Sequence, residues 1–129
     1  PYSNAIDLTR LNWTTLADGG QAAQLSVTSA DAASLRVQID AKNLPAGVEI
    51  RFFNPKAPNK VFGPIGAKEL AFLYWSPVID GETTGIEVYL PPTVDASSLK
   101  LAIPRVSHLL SSAHQNNGKN LIHNRIQYG

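Results

Sequence analysis

The chain has 129 residues, 43% of them hydrophobic and 16% charged, with a formal net charge of +1 and no cysteine. That length fits one domain around a single core. The near-neutral charge argues against a nucleic-acid or anionic-membrane partner, and the missing cysteines exclude disulfides, thiolate metal sites and thiol nucleophiles.

In chain order, the stretch Leu8–Thr15 predicts a first strand. The turn Asp18-Gly19-Gly20 joins it to a second strand near Gln21–Thr28. Asp31–Ser34 has the composition of one helical turn. Leu35, Val37 and Ile39 then alternate with Arg36, Gln38 and Asp40. After the turn Asn43-Leu44-Pro45-Ala46-Gly47, Val48, Ile50 and Phe52 alternate with Glu49 and Arg51. Phe52 and Phe53 are neighbours on a strand and face opposite ways. Leu70–Val78 is a further extended run, closed by Asp80-Gly81. Ile86, Val88 and Leu90 alternate with Glu87 and Tyr89, and Pro91-Pro92 ends that strand because proline cannot donate to a ladder. Leu99, Leu101 and Ile103 alternate with Lys100 and Ala102.

Each alternation places apolar members on one face and polar members on the other. The expectation is an all-β fold, a two-sheet antiparallel β-sandwich (jelly-roll-like) of about seven or eight strands. The alternating apolar residues face inward, and Trp75 is mostly buried near one end. After Pro104, the residues Val106, Leu109, Leu110 and Ala113 recur at helical spacing and predict a short helix over Val106–Gln115. From Ser111 the chain turns polar, in the manner of a linker or mobile tail. The domain division is therefore 1–110 for the sandwich and 111–129 for a linker or mobile tail.

The residues contain no convergent catalytic set. His108, His114 and His123 all lie in the last quarter, and adjacent Ser107 and His108 point to opposite faces of an extended chain. His114 and His123 lack a third metal ligand and a rigid element. Asp80, Glu82 and Glu87 read as a solvated turn rather than a calcium site, which takes about six to eight oxygens. Asn12-Trp13-Thr14 matches a glycosylation sequon without further support. No metal, cofactor or enzymatic activity is expected. Among the aromatic residues, Phe53, Tyr74 and Tyr89 are the candidates for binding a partner, with Tyr89 foremost because it is out of phase with Val88 and Leu90.

No apolar run approaches the roughly twenty residues of a membrane span. Low charge with abundant Ala, Ser, Thr, Asn and Pro is common in exported bacterial proteins, so a secreted or periplasmic location is expected. The chain opens at Pro1 without methionine, as a trimmed piece of a longer protein does.

Several ordered segments carry a resemblance. They begin with Ile6-Asp7-Leu8-Thr9-Arg10-Leu11-Asn12-Trp13, then Ala33-Ser34-Leu35-Arg36 and Leu44-Pro45-Ala46-Gly47-Val48. The most specific stretch is Tyr74-Trp75-Ser76-Pro77-Val78-Ile79-Asp80-Gly81-Glu82-Thr83, continuing into Ile86-Glu87-Val88-Tyr89-Leu90-Pro91. Leu99 to Ser107 completes the set. Together these resemble the propeptides of secreted bacterial lysyl endopeptidase-like, trypsin-fold serine proteases over about Ile6 to Leu110. The resemblance implies an intramolecular chaperone and inhibitor whose partner is the cognate protease domain; separately, the isolated chain is expected to be a monomer. Because the resembled family cuts after lysine, it also implies processing in the tail at Lys119-Asn120, with Arg125-Ile126 as second choice. The rival reading is a standalone secreted module that binds glycan or peptide through Phe53, Tyr74 or Tyr89.

Overall fold

The computed structural model describes residues 5–110 and 124–128. Among them are eleven strands and three single-turn 3-10 segments, with no α-helix. The strands build two antiparallel sheets packed as a sandwich.

The larger sheet begins with β1 (Thr14–Thr15) and β2 (Gln21–Ser29), joined by the expected Asp18-Gly19-Gly20 turn. Gly19 takes the left-handed φ of 87°, and the Asp18 carboxylate accepts from the Gly20 N–H at 2.7 Å. Only the last two residues of the expected first strand are extended in the sheet; Leu8–Arg10 is a 3-10 turn capped by the Asp7 side chain. β2 pairs with β8 (Thr83–Leu90), β8 with β4 (Glu49–Asn54), and β4 with β5 (Ala57–Ile65). β5 is a largely exposed edge strand containing Pro58 and Pro64. Proline is tolerated at such an edge, and the lack of alternation hides the strand from periodicity.

The smaller sheet is centred on β3 (Ala32–Ala41). β9 (Leu101–Ala102) and β10 (Val106–Leu110) run in tandem along one side of it. β6 (Tyr74–Trp75) and β7 (Ile79–Asp80) run along the other. The two-residue strands raise the count above the seven or eight expected, since each is too short to show a period. The Trp-Ser-Pro segment between β6 and β7 has a clear task. Buried Ser76 accepts from the Val37 N–H at 2.9 Å and donates to the Pro77 carbonyl, pinning the bend against β3.

All ten residues expected inward are buried: Leu35, Val37, Ile39, Val48, Ile50, Ile86, Val88, Leu99, Leu101 and Ile103. Phe52 joins them, and Phe53 faces outward as adjacency requires.

Two expectations are corrected. The helical turn over Asp31–Ser34 is absent. Asp31 sits at φ 68°, its N–H accepted by the Glu82 carboxylate, and the chain reverses there directly into β3. The short C-terminal helix is also absent: Val106–Leu110 is β10, in register from Val106 opposite Val37 to Leu110 opposite Ala32. Pairing with β3 decides the matter, because the edge of β3 would otherwise leave backbone groups unsatisfied. Trp75 is more than half buried, as expected. It stands opposite Gln38, on the outward face of β3, while Tyr74 stands opposite inward-facing Ile39.

Within the stretch expected as a tail, Asn124–Gln127 forms β11, paired antiparallel with β2 from Asn124 opposite Ser29 to Gln127 opposite Ser26.

Candidate partner-binding surfaces

The outward face of the larger sheet carries Phe53 on β4 and Tyr89 on β8. Phe53 lies against Gly85 of the adjacent strand, closely enough that any β-carbon there would meet its ring at 2.4 Å. Tyr89 lies against Gly20 in the same manner and donates its hydroxyl to the Asp18 carboxylate at 2.6 Å. This bond holds the Asp18 carboxyl below its ordinary value, helped by the Gly20 N–H, and pushes the Tyr89 phenol above its own. Both aromatics thus have intramolecular partners in place. Tyr74, the third candidate, lies elsewhere: its ring stacks on Phe52 with centroids 6.2 Å apart. The three do not converge on one patch.

The outward side of the smaller sheet presents a different group. The Arg36 guanidinium lies 4.6 Å over the partly buried Trp75 ring, a cation–π contact. Beside it, Val78 and Leu109 are 56% and 61% exposed. With Ser34, Leu35, Arg36 and Ser107 they line a shallow groove of about 240 Å³. Phe72, 83% exposed, and Leu73 lie further along the same side of β3, beside a second groove that includes Lys42 and Leu44. Sequence reasoning missed Val78 and Leu109. The expected helix concealed Leu109, whose outward phase in Val106–Leu110 becomes visible only once that segment is a strand.

The histidine reading is resolved differently from its sequence neighbours. His108 Nδ1 hydrogen-bonds Ser29 Oγ across the two sheets. Ser29 is fully buried, so this pair offers no nucleophile to a substrate. Ser107 does not take part. Asp80, Glu82 and Glu87 are dispersed: Glu82 accepts from Asp31, and Glu87 from Gln24. Among the described residues no group of three or more potential metal ligands occurs, and no helix is long and apolar enough to cross a membrane. His114, His123 and Lys119 lie outside the described residues. Arg125 is in β11, opposite Thr28.

Comparison with known proteins gives two matches. The sequence profile described as Lysyl endopeptidase N-terminal domain matches residues 2–110. Among curated proteins the chain is similar to a protein named Lysyl endopeptidase from Pseudomonas aeruginosa, 36% identical over 116 residues. That alignment covers 85% of this chain and 24% of the relative. The chain therefore spans about a quarter of the length of the curated relative it matches. No solved structure matches it significantly.

Proposed function

The chain belongs to the lysyl endopeptidase N-terminal domain family, and we propose that it is the propeptide of a secreted, lysine-specific, trypsin-like serine protease, acting as intramolecular chaperone and inhibitor. The single observation that carries this reading is the family match over nearly the whole sandwich. A physical need supports it. A protease rich in long-range β pairing folds slowly, because loop closure costs entropy before contacts compensate. A prefolded sandwich that binds the folding partner lowers that barrier, and the same contact blocks the active-site cleft until export is complete.

The Val78–Leu109 groove is the face best suited to that contact. Its two exposed aliphatic side chains are flanked by the Arg36–Trp75 pair. Tryptophan and arginine are among the residues that dominate binding energy at protein interfaces, and surrounding apolar contacts exclude water from them. Tyr89 and Phe53, on the outward face of the other sheet, are the second candidates for contact. The proposal includes processing after Lys119, whose ammonium would pair with an acidic specificity pocket of the protease.

Adding the purified chain to its protease domain tests the reading. Stoichiometric inhibition of hydrolysis at lysine is expected, together with faster refolding of the denatured protease domain. Val78→Asp combined with Leu109→Asp is expected to weaken inhibition about tenfold or more while leaving the far-ultraviolet spectrum unchanged. Absence of both inhibition and refolding assistance refutes the proposal.

A further inference from the structure

β2 has one side against β8, and its other side is covered by two separate strands. β1 covers Gln21 and Ala22, and β11 covers Ser26 to Ser29. An uncovered strand edge presents a row of unpaired N–H and C=O groups, which makes it a template for an added strand. Here the strand that fills the template comes from beyond residue 110, where the family match ends.

The fit of that strand is specific. Its register sets Ile126 opposite Val27, a fully buried core residue, so Ile126 shares the core face and packs against the core. Gln127 faces the other way and accepts from the Ser26 hydroxyl at 3.3 Å. Tyr128 returns to the core side and is held twice: its phenol oxygen accepts from the Asp7 N–H at 3.1 Å, and the Arg10 guanidinium lies 4.4 Å over its ring. Ladder bonds supply affinity, and alternate side chains supply selectivity, as in peptide recognition by strand addition.

We infer that residues 124–128 are a docking strand whose hold on β2 survives a cut in the chain between Leu110 and Asn124. The ligand class of this edge is an extended peptide with an aliphatic residue followed, two positions on, by an aromatic one. Cutting and release then become separate steps: hydrolysis of the peptide bond severs the covalent link, and the downstream piece leaves only when β11 peels from β2. This rests on the propeptide reading only for what the downstream piece is.

The test uses the full chain with a recognition sequence for a site-specific protease inserted after Gly118 and a fluorophore at the C-terminus. After complete cutting, the labelled piece is expected to co-elute with the sandwich in size-exclusion chromatography at micromolar concentration. Ile126→Asp in the same chain is expected to raise the dissociation constant by about tenfold or more, because it places a charge against the core. Elution of the unsubstituted labelled piece at the volume of the free peptide, whatever the state of the sandwich, overturns the inference. So does undiminished retention of the Ile126→Asp piece. No protease partner enters this measurement, so its outcome is independent of whether the chain inhibits one.

Discussion

The Phe53 ring occupies the space that a side chain on Gly85 would need. A β-carbon at residue 85 falls 2.4 Å from two of the ring's carbons. The aromatic covers backbone that the glycine leaves bare, so the two residues are coupled across β4 and β8. Gly85→Ala is expected to destabilise the fold by about 1–3 kcal/mol through overpacking. In a Phe53→Ala background the same change is expected to cost far less, since a strand interior favours alanine over glycine. Urea melts of the two single variants and the double variant form the cycle. Strict additivity eliminates the coupling.

Such couplings explain what could be foreseen and what could not. The period-2 runs around Val37, Ile50 and Val88 are long enough to specify both strand and face, and every inward assignment drawn from them holds. Trp75 was harder, because a two-residue strand has no period and its face depends on the register with Gln38. Val106, Leu109 and Leu110 fit helical spacing as well as any strand, and only the unfilled side of β3 decides between them. The close approaches at Gly20 and Gly85 join residues far apart in the chain, which local composition does not report. For the site, the family segments are legible in order, whereas exposure of Val78 and Leu109 emerges only from the packing of the sheets.

The Tyr89–Asp18 bond sets a dependence on pH at both extremes. Asp18 has its folded pKa lowered, chiefly by the Tyr89 hydroxyl. Its contribution is therefore present above the ordinary aspartate value of about 3.9 and is lost as pH falls through the lower folded value. Tyr89 has its folded pKa raised, chiefly by Asp18. Its contribution is present below about 10 and is lost as pH rises through the higher folded value. Tyr89→Phe is expected to lower Tm at neutral pH and to flatten both limbs. A Tm–pH curve for Tyr89→Phe that runs parallel to the parent at every pH contradicts this.

Phe52 is the largest fully buried side chain among the described residues and supports Tyr74 from β4 across to the smaller sheet. Phe52→Ala is expected to cost about 3–5 kcal/mol, from lost transfer energy and the cavity left behind. Phe52→Leu retains most of the volume and should cost much less. Denaturant midpoints with unchanged m-values give the comparison; equal losses for the two variants would show that volume at this site does not matter.

Cleavage after Arg125 offers a direct view of β11. The Arg125–Ile126 bond lies between residues paired with Thr28 and Val27, inside an antiparallel ladder whose far end is fastened by Tyr128. A protease cleft requires several residues extended and free of other partners, so cutting here must wait for β11 to leave β2. When opening is fast relative to cleavage, the rate reports the population of the open form. Trypsin is therefore expected to cut the folded chain after Arg125 about tenfold or more slowly than a free peptide of residues 120–129, since each 1.4 kcal/mol of strand-opening energy is one factor of ten. Tyr128→Ala removes the contacts with Asp7 and Arg10 and should recover part of that rate without unfolding the sandwich. The new ends can be followed by mass spectrometry at short digestion times. Equal rates for the folded chain and the free peptide would mean that β11 is not held.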